Sequence, residues 1–169
     1  MLWVARLAAR GRLAALGLGP RVPRRPLVAG VGIGVFLGAH LLVSASRTFG
    51  YRVRADPIEV AVWTAYDVGA NVLAAECFFR GALFQRAQRR ASFATAVVVS
   101  TAACLVRYLV DPLLPRTAAV AIGTVFYLSL VSVGNCWLLW WSGSLVPGVA
   151  ASLIFFAAYR LLETGGAPR

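Results

Sequence analysis

The sequence has no lysine, one histidine (His40) and only six acidic residues, none of them before Asp56. A conventional histidine-based metal or acid–base site needs several converging ligands, and a single histidine all but excludes one. Charged residues make up 14% of the chain and apolar residues 60%. A soluble domain is nearer about a quarter charged and about half apolar. The three cysteines, Cys77, Cys104 and Cys136, are odd in number and lack a CxxC pair, which argues against a disulfide framework.

What is present is arginine and long apolar runs. All 17 basic residues are arginine, and the net charge is +11. The arginines flank the apolar runs, as topology signals and contacts to anionic headgroups do, so the implied partner is membrane lipid and not nucleic acid. The 169 residues accommodate about five spans of roughly 20 residues each with short loops. The fold class expected is therefore all-α, a polytopic transmembrane helix bundle of about five spans.

Residues 1–26 carry six arginines among Leu and Ala. Leu2–Leu18 reads as an amphipathic helix lying at the interface; a cleaved leader is the competing reading, weakened by the arginines inside the stretch. Pro20, Pro23 and Pro26 end that segment. Leu27–Ser46 has no charged residue and forms the first clear span, with Gly30, Gly32, Gly34 and Gly38 giving it a small-residue side for close helix contact. His40 lies here and is expected to be satisfied by a neighbouring helix. A polar loop closes this first unit at residue 57. From Glu59 the chain reads helical to Arg90, interrupted only by Gly69 and Gly81. Ala91–Val106 and Thr117–Trp141 are uncharged, with a turn at Asp111–Pro115 between them. Leu145–Tyr159 follows the turn Ser142-Gly143-Ser144, and a polar tail fills residues 163–169. Segments 1–26 and 79–91 hold six and four arginines, against three and one in segments 47–57 and 111–116, which predicts a cytoplasmic amino terminus. Trp137, Trp140 and Trp141 read as interfacial anchors.

Ionisable groups at bilayer depth cost several kcal/mol unless they face protein or a wet cavity. Asp67, Glu76, Arg80 and Arg107 are such groups. Glu76 and Arg80 are spaced i, i+4, as are Asp67 and Asn71, so each pair shares a helix face. With a reversal near Ala91, Glu76 and Arg107 lie at one level, roughly 22–24 Å from the turn at ~1.5 Å per residue. A Glu76–Arg107 bridge across that hairpin is expected; the alternative is that Arg107 pairs with Asp111. Cys77 and Cys104 fall at similar depth and read as buried apolar cysteines.

Glu76-Cys77-Phe78-Phe79-Arg80-Gly81 resembles the first motif of the CPBP intramembrane metalloproteases, E-E-x-x-x-R followed by Gly. That family includes type II CAAX prenyl endopeptidases and bacteriocin-processing proteins. Ser142–Pro147 (SGSLVP) resembles the turn before its last motif, and the likeness spans residues 58–162. The resemblance implies a leading glutamate that activates water, with two histidines and an asparagine holding a metal or the oxyanion. Glu76 and Arg80 match. The leading glutamate is replaced by Ala75, the second-motif histidine by Arg107, the third-motif histidine by Ser152 and its asparagine by Phe156. One carboxylate cannot hold a catalytic divalent metal such as zinc, which takes about three protein ligands. Three readings follow. The first is a degenerate member of this family that binds a peptide or another membrane protein without cofactor. The second is a divergent active endopeptidase using Glu76. The third is a small transporter-like helical membrane protein in which Asp67, Asn71 and Glu76 form an ion path.

Overall fold

Capping chemistry in the sequence marks where the helices start and stop. In the computed structural model, which describes residues 13–19, 22–49, 51, 56–110 and 118–162, α1 covers Arg24–Phe49. Pro26 sits in its first turn, where a missing N–H leaves no hydrogen bond unmade. α2 covers residues 57–88. It is opened by Asp56, whose carboxylate accepts from the Ile58 and Glu59 amides at 2.9 and 3.4 Å, with Pro57 following the cap. α3 (Phe93–Leu109) begins at Ser92, whose hydroxyl accepts from the Thr95 amide at 3.2 Å. α4 (Ala118–Ser142) and α5 (Val146–Arg160) are joined by a turn in which Gly143 has φ +66°, a left-handed conformation that favours glycine.

The result is an all-α membrane bundle, but its spans are unequal. α1 and α4 are long and apolar enough to cross a bilayer. α3 and α5, at 17 and 15 residues, reach only about 25 and 22 Å, short of the ~30 Å hydrocarbon core. α2 has the extent that the sequence predicts, yet it is not a uniform α-helix. Asp67–Asn71 and Cys77–Phe84 are π-helical, and the Val72 amide bonds to the Asp67 carbonyl five residues back. Each π segment contains one of the two glycines of α2, Gly69 or Gly81, where α-helical preference is weakest. Apolar periodicity carries no trace of the wider turns.

The closest helix contact is between α1 and α5. A Cβ on Gly30 would lie 2.3 Å from the Pro147 carbonyl oxygen. One on Gly34 would lie 2.7 Å from that of Ala151, and one on Gly38 would lie 2.9 Å from the Ala158 Cβ. Gly32 faces away and meets nothing within 4 Å. Three of the four glycines thus form the small-residue seam by which backbones approach in a membrane. His40, on the same helix, pairs Nδ1 with the Tyr127 hydroxyl of α4 at 2.7 Å, as expected.

Most of the amphipathic helix read over Leu2–Leu18 lies outside the described residues, as do the Asp111–Pro115 turn and the tail at 163–169. The described part, Leu13–Leu16, is one 3-10 turn. Leu16 is buried in an apolar cluster with Cys77, Phe84, Cys136 and Leu145. The Gly17 carbonyl accepts from the Leu145 amide at 2.9 Å. Gly81 makes room for this segment, since a Cβ there would stand 3.1 Å from the Leu16 carbonyl oxygen.

Gly34→Val should lower the thermal unfolding midpoint in detergent by an amount equivalent to about 1–3 kcal/mol of overpacking. Gly32→Val should leave it unchanged. Equal effects at the two positions would remove the seam as a packing determinant.

Candidate functional site

Glu76 lies between the two π segments of α2, and α4 and α5 supply its donors. Its Oε1 accepts from Asn135 Nδ2 and from Ser152 Oγ, both at 2.9 Å. The same Asn135 nitrogen donates to Ser152 Oγ at 2.7 Å, closing a triangle across three helices. Oε2 faces Arg80 Nε at 3.6 Å, an ion pair longer than a hydrogen bond. Arg80 also donates from Nη1 to Cys104 Sγ of α3 at 3.4 Å. Glu76 and Arg80 are 3% and 2% exposed, so their charges are compensated by protein alone. The i, i+4 pairing read from the sequence is present.

Local packing explains how the triangle forms. Gly148 lies against Asn135, and a Cβ there would stand 3.2 Å from Asn135 Cβ and Cγ. Hydroxyl groups tie α3 into place: Ser100 Oγ donates to the Phe79 carbonyl at 2.8 Å, and Thr101 and Ser132 hydroxyls pair at 2.8 Å. Four buried polar atoms have no hydrogen-bond partner among the described residues: Glu76 Oε2, Arg80 Nε, Asn135 Oδ1 and Arg107 Nη1. Two are acceptors and two are donors.

Arg107 does not bridge to Glu76, contrary to the sequence expectation. Its guanidinium lies over the Tyr108 ring, 4.2 Å from the centroid. The expectation rested on depth, which does not fix the direction a side chain takes around its helix. The π-helical turns of α2 change that direction relative to a straight α-helix. Across the same hairpin the neighbouring Tyr108 hydroxyl donates to Asn71 Oδ1 at 3.5 Å, five residues before Glu76. The alternative partner, Asp111, lies outside the described residues.

The remaining motif positions separate. Ser152 joins Glu76 directly. Phe156 stacks on Tyr108 with centroids 5.6 Å apart, and so meets the neighbourhood of Arg107. Ala75 is buried in the apolar cluster that includes Phe79 and Cys104. Cys77, Cys104 and Cys136 are buried free thiols. Among the described residues, no three His, Cys, Asp or Glu side chains converge on one point.

Asp67 is tied up elsewhere. Arg160 of α5 grips it through Nε to Oδ2 at 2.9 Å and Nη2 to Oδ1 at 3.2 Å. Asn71 Nδ2 adds a bond to Oδ1 at 2.8 Å. The Arg160 guanidinium also covers the Trp63 ring at 4.6 Å. Spacing predicts the Asn71 contact but gives no sign of Arg160. Asn135 is likewise missed by the sequence reading. Its one available signal is a carboxamide in the middle of an uncharged 25-residue run, a position that polar residues hold only when partnered.

The sequence matches the family model of the Rce1-like type II CAAX prenyl endopeptidases over residues 57–159, more than half of the chain, and the protein belongs to that family. No curated protein and no solved structure matches it.

Asn135→Leu removes one of the two donors to Glu76 Oε1 and should destabilise the protein by about 1–3 kcal/mol. Gly148→Ala should act in the same direction by displacing the amide. In a double-mutant cycle read by thermal unfolding the two should be clearly less than additive. Simple additivity would show that Gly148 does not act through Asn135.

Proposed function

We propose that this family member is catalytically degenerate and works by holding a peptide segment, or a segment of another membrane protein, instead of cutting it. The observation that carries this reading is the closure of Glu76 Oε1 by Asn135 and Ser152. A glutamate that activates water beside a metal presents its oxygens to an open coordination site, whereas here one oxygen already takes two neutral donors. The metal that the resemblance implies does not fit the residues. Arg107 and Ser152 stand where imidazoles are required, Asn135 turns its nitrogen and not its oxygen to the carboxylate, and Arg80 sets a fixed cation beside the other carboxylate oxygen. The atoms left without a hydrogen bond, Glu76 Oε2 and Arg80 Nε (held to each other by the 3.6 Å ion pair alone), Asn135 Oδ1 and Arg107 Nη1, have the polarity that a peptide group's N–H and C=O would satisfy. Each such buried group left unmade costs about 1–3 kcal/mol, which a bound main chain would recover. In this reading the arginine-rich end of the bundle and the amino terminus face the cytoplasm, by the excess of arginine in segments 1–26 and 79–91.

A second reading is favoured by the same Oε2, which accepts no hydrogen bond and is held by the Arg80 ion pair alone. With that atom as general base taking a proton from an attacking water and passing it to the leaving amine, and Arg80 stabilising the negative charge that develops on the carbonyl oxygen, the site would hydrolyse a peptide bond.

The two are separated by offering the purified full-length protein in lipid nanodiscs a prenylated peptide ending in a CAAX sequence and carrying a photo-crosslinker. Assays run with and without added zinc. The binding reading expects retention without cleavage, weakened about tenfold in Glu76→Gln, as for the loss of one charged hydrogen bond. Cleavage that disappears in Glu76→Gln would replace it with the hydrolytic reading. A peptide neither held nor cut would overturn both.

A further inference from the structure

A separate cavity of about 490 Å³ opens at the end of the bundle where α2 and α4 terminate. Its walls include Gln85, Gln88 and Arg89 from the end of α2, Trp140 and Gly143 from the end of α4, and Gly17 from the amino-terminal turn. The volume lies in the range of small-ligand sites, roughly 300–1,000 Å³. Charge at this end has one sign. Arg86, Arg89 and Arg90 stand together, and residues 1–55, 77–110 and 112–162 contain no aspartate or glutamate. Among the described residues nothing pairs with the Arg89 side chain, which is exposed. Helix dipoles do not decide the preference, because α2 and α4 end here while α3 and α5 begin, so their fields oppose one another. The arginines set the field, and they favour an anion.

The surroundings identify the anion's carrier. Trp140 is 58% exposed and stands beside Phe93, with ring centroids 5.4 Å apart. Trp137 and Trp141, both exposed, stack on each other at 5.0 Å on the same end of α4. Exposed indoles at the end of an apolar span occupy the headgroup level of a bilayer. Arg89 offers a planar fork for phosphate oxygens. Gln85 and Gln88 add amide donors that neutral hydroxyl or phosphate oxygens accept.

We propose that this cavity is a binding site for the headgroup of an anionic phospholipid, with Arg89 contacting the phosphate, Gln85 and Gln88 the headgroup, and Trp140 the glycerol region. A basic pocket between helices at the membrane boundary has the chemistry for that class of ligand. The lipid then bridges the amino-terminal turn to the ends of α2 and α4.

The test uses the full-length protein in neutral detergent and its intrinsic tryptophan fluorescence. The titrants are short-chain phosphatidylglycerol, short-chain phosphatidylcholine and inorganic phosphate. Phosphatidylglycerol should bind at least about fivefold more tightly than phosphatidylcholine, and Arg89→Gln should remove about that factor, the contribution of one arginine near a membrane surface. The melting temperature of Arg89→Gln without lipid should match the parent, which separates lost binding from lost folding. Trp140→Phe, read by native mass spectrometry, should weaken both lipids alike. Equal affinity for the two lipids, or an unchanged preference in Arg89→Gln, would overturn the proposal. Displacement of phosphatidylglycerol by equimolar inorganic phosphate would reassign the cavity to free phosphate and overturn the lipid assignment.

Discussion

A carboxylate enclosed by apolar helices has to find its donors within the protein, and Glu76 imposes that requirement on most of the bundle. Ionised groups at bilayer depth are tolerated only when partnered. Glu76 takes partners from its own helix, from α4 and from α5. Bringing α5 near enough requires Gly148, which leaves space for Asn135. Holding α5 in that place requires α1, whose Gly30, Gly34 and Gly38 let the two backbones meet. Small residues far from the carboxylate therefore serve the same end as the polar ones beside it.

Charge is distributed to match. Acidic side chains of the described residues all lie on α2 no later than Glu76, or at its cap: Asp56, Glu59, Asp67 and Glu76. Two of them, Asp67 and Glu76, are buried and face arginines. The end of the bundle that gathers residues 85–93 and 139–146 has arginines and indoles but no acid. The two buried carboxylates thus bind the helices to one another inside the bundle, while the arginines of the opposite end have no acidic neighbour among the described residues. Asp67 makes the same point from the far end. A bidentate arginine and a carboxamide occupy it, which turns a residue legible as an ion-path element into a clasp between α2 and α5.

The sequence revealed much of this and missed specific parts. Apolar runs and their arginine borders gave the helical bundle, because hydrocarbon leaves few other ways to satisfy a backbone. The spacing of Glu76 with Arg80 and of Asp67 with Asn71 gave two local pairs, because neighbours on one helix face follow from helical geometry. Contacts between distant segments were not legible in that way. Arg160 and Asn135 reach α2 from 93 and 59 positions away along the chain, and no local period encodes such a meeting. Arg107 shows the converse error. Counting residues from the turn gave it a level but no direction around its helix, and the relative direction depends on π-helical turns that apolar patterning does not register.

Those turns have a further consequence. A π segment accommodates an additional residue without a matching gain in helix length, so α2 behaves as an α-helix carrying insertions. Removing one residue from Cys77–Phe84 would let the wide turn close to ordinary α geometry, with the turns on either side kept nearly in phase. Asp67 and Glu76 would go on facing α5. A residue removed from a uniform α-helix has no such turn to close, and its loss rotates one side against the other by about 100°, the angle one residue occupies. The wide turns are thus slack in α2, where length can be lost before the carboxylates lose their aim.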